Sequence, residues 1–234
     1  MSAFLVFALL LIAAAAPSTP LLLREQAWTA PSTTLARDLT HAPGECLAVR
    51  SPEIEIGRAL FRSPALLGGP AARAGLSCNA CHANGRVSAH FLLPELTNRA
   101  GAADVTSEWS SKVRGDGSSN PVDIPDLAGV GQRQTFGRAR EPSLENFVRG
   151  VIADEFQGMA PPAQAFASLI AYLRALDPSA CPVGETALTL TDAADDVRRV
   201  IDAAQTADAA TASLLLLAGQ DAMGRIVERM PARR

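Results

Sequence analysis

Cys78-Asn79-Ala80-Cys81-His82 sets two thiols three residues apart with a histidine directly behind them. Two cysteines one helical turn apart can add to the two vinyl groups of one porphyrin, and the next residue is thrown beneath its plane. The pattern is that of covalent haem attachment, predicting one haem c with Cys78 and Cys81 as thioether donors and His82 as the proximal iron ligand. A thioredoxin-like redox pair and a zinc half-site share the cysteine spacing. Zinc would need a second pair of ligands, and the sequence has none spaced for it.

Thioether formation belongs to the exported side of a bacterial membrane, and the N-terminus is consistent with export. Ala3 to Ala16 is an uninterrupted apolar run, of a length that suits a signal h-region and is short for a bilayer span. Small residues from Ala13 to Ala16 offer a cleavage site after Ala15. No Lys or Arg precedes the run, and uncharged sequence continues to Leu23, so an uncleaved anchor is the alternative. A periplasmic, or membrane-tethered, location is therefore expected. In that oxidising compartment Cys46 and Cys181, both outside the haem motif, are candidates for a disulfide. Two buried thiols are the alternative reading.

The formal charge of -3 leaves no electrostatic footprint for nucleic acid. Lys112 is the only lysine, so a docking surface for a redox protein must use Arg, acidic residues or apolar area. The stretch 17–44, rich in Pro, Ser and Thr, reads as linker or wrap. A helix is predicted from Ser51 as cap, with Pro52 at its first position and Glu53 and Glu55 in its first turn, to about Arg62. Gly68, Gly69 and Pro70 break the pattern before a short helix from Leu76 carries the haem motif. Residues 100–120 read as a surface loop. Ser143 can cap a further helix, and Phe166, Leu169, Ile170, Leu173 and Leu176 recur on one face of another over Ala163–Leu176. With no convincing strand pattern, the expected fold class is all-α.

These elements resemble class I cytochromes c, in which an N-terminal and a C-terminal helix cross closely beside the haem. Gly57 and Phe61 on the first helix and Tyr172 on the last match that arrangement. More closely, Ile56–Phe61, Ser63–Leu66, the motif itself, Ile124-Pro125-Asp126-Leu127-Ala128-Gly129-Val130 and Leu144–Leu176 resemble a haem domain of the bacterial di-haem cytochrome c peroxidases. The likeness covers roughly residues 50–178. Those enzymes carry two haems, whereas this chain has one attachment motif, and Phe136-Gly137-Arg138 stands where the family often has His-Asp-Gly-Arg. A self-sufficient peroxidase is not expected.

The resemblance implies a sixth iron ligand from the segment before the closing helix, where Gln157-Gly158-Met159-Ala160-Pro161-Pro162 offers the thioether of Met159; a flexible core filler is the alternative role. His90, His41, Met223 or an open position are the other options for the iron. Arg86, Arg133 and Arg138, the last by its family position, are candidates to neutralise the haem propionates. Beyond Val183 the likeness ends in a predicted helical hairpin, Thr191–Gln205 and Ala207 to about Met230, expected to pack on the haem domain or to dock a partner. The expected organisation is 1–16 signal peptide or anchor, 17–44 linker, 45–181 cytochrome c haem domain and 182–234 helical extension. The expected function is single-electron transfer between redox proteins. The alternative is a haem subunit of a peroxidase-like enzyme with an open or labile sixth position.

Overall fold

The computed structural model describes residues 41–229, and the expected leader and most of the linker lie outside this range. About half of the chain is helical, with a few short strands. The first helix, α1 (Pro52–Phe61), starts as the sequence predicts, with Ser51 Oγ accepting from the Ile54 N–H at 3.2 Å. Short helices α2 (Pro64–Leu67), α3 (Gly69–Arg73) and α4 (Cys78–Cys81) follow. Helix α5 (Leu144–Gly150), capped by Ser143, widens into a π turn over Val151–Glu155, and α6 (Ala163–Ala175) follows.

Helices α1 and α6 form the central crossing. A Cβ on Gly57 would lie 1.9 Å from the carbonyl oxygen of Ser168, so the two backbones touch where a side chain is missing. Phe61 and Tyr172 meet beside this point with ring centroids 5.2 Å apart, a favourable tilted geometry. The apolar stripe of α6, Phe166, Leu169, Ile170, Leu173 and Leu176, is buried with Ile56, Leu60 and Phe61 of α1.

The C-terminal hairpin consists of α7 (Leu190–Thr206) and α8 (Ala209–Arg229), with α7 opened by a capping box between Thr189 and Asp192. It packs on α1 and α6: Arg58 of α1 reaches Asp196 of α7 at 2.8 Å, and Gln164 at the start of α6 accepts from the Asp208 N–H at 2.6 Å. The consecutive leucines Leu214–Leu217 on α8 divide: Leu215 is buried, whereas Leu216 and Leu217 are exposed.

Two features depart from the sequence expectation. Four short strands occur among the described residues: β1 (His41–Pro43) pairs with β4 (Glu185–Ala187), and β2 (Ala102–Ala103) pairs with β3 (Val122–Asp123), all antiparallel. At two or three residues each, they are too short to carry an alternating pattern. The end of the linker range thus forms part of a ladder. The 100–120 stretch is also more than a surface loop, because Asp104, Ser110 and Ser111 within it are buried. Asp104 organises it by accepting from the Thr106 N–H at 3.0 Å and the Asn120 N–H at 2.9 Å. Among the described residues no helix is long and apolar enough to cross a membrane.

Candidate haem site

Ser77, in extended conformation, turns the chain into α4, whose single turn closes with His82 N–H donating to the Cys78 carbonyl at 2.8 Å. This turn places the two thiols of the motif on adjacent levels of one helix. Cys78 and Cys81 are half-buried and unpaired. Burial pushes the Cys78 thiol up to about 12 and raises that of Cys81 as well, where the neighbouring Cys78 adds to the effect. These thiols are protonated at neutral pH, unlike the low-pKa thiols of dithiol redox catalysts.

The orientation of His82 is set from below. Its Nδ1 lies 3.0 Å from the carbonyl oxygen of Pro125. A carbonyl can only accept, so Nδ1 carries the proton and Nε2 keeps its lone pair, as a metal-ligating imidazole requires. Desolvation lowers the ring's pKa to about 4 despite the opposing hydrogen bond to Pro125 and the nearby Asp126 carboxylate. The imidazole is therefore neutral at physiological pH.

The Pro125 carbonyl is itself held firmly. Asp126 accepts from the Ala128 N–H at 2.8 Å and from Arg86 Nε at 2.5 Å, while Arg133 donates to the Asp126 carbonyl. Leu127 N–H donates to Gly85 O at 2.9 Å and ties the segment to the exit of the haem motif. That exit is pinned on other sides too. Asn84, at φ 54°, accepts from Arg62 Nη2 at 2.6 Å and donates to Pro43 O at 2.8 Å. Gly85 fits against Leu176 so closely that a Cβ would come within 2.7 Å of its Cδ1.

Cys46 and Cys181 are joined as a disulfide. Arg86 Nη1 approaches the Cys46 sulfur at 3.5 Å, connecting the bridge to the Asp126 turn. Beside Cys46, Glu45 accepts from Arg58 Nε at 2.8 Å, Arg62 Nη2 at 2.9 Å and the Tyr172 hydroxyl at 2.8 Å. Burial alone would raise this carboxyl, but Arg62 and Arg58 outweigh it and hold it well below the usual carboxylate range.

Among the other predicted site residues, Met159 is 88% exposed. A methionine serving as core filler would be packed among apolar neighbours, so the alternative role weighed for it does not fit. Arg86 and Arg133 converge on Asp126, and Arg138 bonds Asn120 through its side-chain oxygen at 3.1 Å and its carbonyl at 3.0 Å. All three arginines thus have protein partners in this structure. His41 lies in β1, His90 in the turn before the buried Phe91, and Met223 is exposed on α8. No group of three or more His, Cys, Asp or Glu side chains among the described residues could hold a bare metal ion.

The residues fit a covalently held haem. Two unpaired thiols stand beside a neutral imidazole with a free Nε2. Leu127, Phe147, Val148 and Val151 are partly buried apolar side chains, each packed against the core on one side. Reading the side chains alone missed the Pro125 carbonyl, a backbone group without a side-chain signature; its only trace was the family-like stretch Ile124–Val130. No protein-family model, curated protein or solved structure matches this chain.

Proposed function

We propose that this protein is a periplasmic monohaem c-type cytochrome that transfers single electrons between redox partners, tethered to the membrane if its N-terminal segment is retained. The observation that carries the reading is the His82–Pro125 hydrogen bond: it commits Nδ1 to the protein and leaves Nε2 for iron, directly after two unpaired cysteines. Haem bound here supplies a one-electron iron couple. Cys78 and Cys81 hold the group covalently, and His82 ligates its iron. The Pro125 carbonyl fixes the imidazole's tautomer and increases its basicity. Met159, exposed on a short proline-flanked segment, supplies the sixth ligand. Asp126 and its arginines keep the proximal carbonyl in register.

The test is the full chain produced with a haem-maturation system. Haem should remain with the polypeptide on denaturing electrophoresis and in acidified organic solvent, and Cys78→Ala or Cys81→Ala should leave at most one thioether. The ferric and ferrous proteins should both be low-spin, with negligible peroxide turnover. Met159→Ala should lower the reduction potential and allow carbon monoxide to bind. Rapid carbon monoxide binding or peroxide turnover by the parent would instead favour the second reading, a haem subunit of a peroxidase-like enzyme. The observation favouring that second reading is that Met159 is exposed rather than packed in place.

A further inference from the structure

The segment leading to Met159 is built with more constraint than a connection between two helices requires. The π turn over Val151–Glu155 ends with Phe156 N–H donating to Val151 O at 3.2 Å, and π turns inside α-helices frequently occur at functional sites. Gln157 then adopts a left-handed conformation at φ 63°, uncommon for a residue with a side chain. Gly158 donates to Ile152 O at 2.7 Å and sits where a Cβ would lie 2.6 Å from the Leu66 carbonyl oxygen. The next residue is the exposed Met159.

One loop holds this strained segment at three points. Ser111 Oγ donates to the Asp154 carbonyl at 2.5 Å, and Gln157 Nε2 donates to the Ser110 carbonyl at 2.8 Å. Arg114 Nη1 pairs with Glu155 Oε1 at 2.5 Å, and its Nη2 lies 3.5 Å from Asp154. Glu155 is only 5% exposed, and burial pushes its carboxyl up to about 7 although Arg114 pulls the other way. A buried carboxylate in that condition contributes little net stability, and its best-attested use is to select one arrangement of the chain. Ser110 and Ser111 are both buried, so the loop is itself fixed.

We propose that residues 107–114 form a clamp on the turn before Met159, with Arg114, Glu155 and Gln157 as positioning residues that present the thioether to the iron. The inference rests on the proposed function and extends it to residues that do not touch the haem. A thioether is a weak iron ligand, so its occupancy depends on being held near the metal. Loosening the clamp raises the fraction of time that the sixth position is open.

The experiment compares the haem-loaded parent with Met159→Ala, Arg114→Gln, Glu155→Gln and Gln157→Gly, all in the full chain. Gln157→Gly is chosen because glycine adopts the left-handed conformation without strain and should fold, while losing the bond to Ser110. The readouts are the rate of carbon monoxide binding to the ferrous protein and the reduction potential, which a purely structural role would not move. The clamp variants should bind carbon monoxide at least tenfold faster than the parent and shift the potential in the same direction as Met159→Ala. An Arg114→Lys variant, retaining the charge, should recover part of the loss. If Met159→Ala opens the iron but Gln157→Gly and the ion-pair variants behave as the parent, the clamp is wrong and the electron-carrier reading stands. If Met159→Ala changes neither readout, Met159 is not the ligand, and the clamp falls with that assignment.

Discussion

Gly57 shows how much one missing side chain decides. Within an isolated helix, Ala in its place would be favoured by about 1 kcal/mol. In this structure the added Cβ would meet the Ser168 carbonyl oxygen at 1.9 Å and Tyr172 Cβ at 2.8 Å, both on α6. Neither is the end of a flexible chain, so the helices themselves must part, at a cost typical of overpacking, roughly 1–3 kcal/mol or more. Gly57→Ala is therefore expected to destabilise the fold despite its better helix propensity. Urea denaturation measures this, and an unchanged or raised midpoint would show that the crossing is looser than described. The same logic applies to His82, whose ring nitrogen assignment follows from one backbone acceptor, the Pro125 carbonyl, so a substitution that displaces this carbonyl removes what sets the tautomer.

At the scale of elements, the Glu45 cluster joins the segment before α1 to α1 and α6 through Arg58, Arg62 and Tyr172. Removing the charge leaves two buried guanidinium groups short of a partner. Glu45→Gln should cost about 3–5 kcal/mol in a chemical denaturation series. The pH dependence has a definite sign, since the folded-state pKa lies below the ordinary value of 4.5. The stabilisation is fully present above pH 4.5 and is lost as pH falls toward the folded-state value. Unfolding free energy measured between pH 6 and 3 should therefore fall more steeply in the parent than in Glu45→Gln. Parallel curves would assign acid sensitivity to other carboxylates.

Across the whole molecule, the Cys46–Cys181 bridge joins residues 135 apart in sequence and ties the segment before α1 to the chain just after α6. Closing a loop of that size restricts the unfolded chain by roughly 4–5 kcal/mol in the chain-entropy treatment. Cys46→Ser with Cys181→Ser should lower the denaturation free energy by about that amount, and reduction of the parent by a strong thiol reductant should reproduce the effect. The hairpin α7–α8 is a second global constraint, packed on α1 and anchored by the buried Leu215 and the Arg58–Asp196 pair. Leu215→Ala should destabilise the protein by about 2–4 kcal/mol. If it instead leaves the main transition unchanged, the hairpin unfolds as a separate unit.

The sequence by itself placed Cys78, Cys81 and His82 together on one short turn, because that juxtaposition depends on spacing within a single helical turn. It also determined α1 and α6, whose caps and apolar periodicity are local signals carried by Ser51, Pro52 and the Phe166–Leu176 stripe. The hairpin was legible through the acidic Asp192, Asp195 and Asp196 near its start and the apolar Leu214–Leu217, although the Thr189 cap and which leucines would be covered were not. Tertiary structure alone decided the rest. The Pro125 carbonyl has no side-chain signature and lies 43 residues from His82. Glu155 and Arg114, 41 residues apart, read individually as surface charges until folding buries one of them. Asp104, Ser110 and Ser111 look like loop residues because their polarity says nothing of the backbone groups they will meet. Spacing within a turn fixes local geometry, but pairing across tens of residues depends on where the core brings the chain back upon itself.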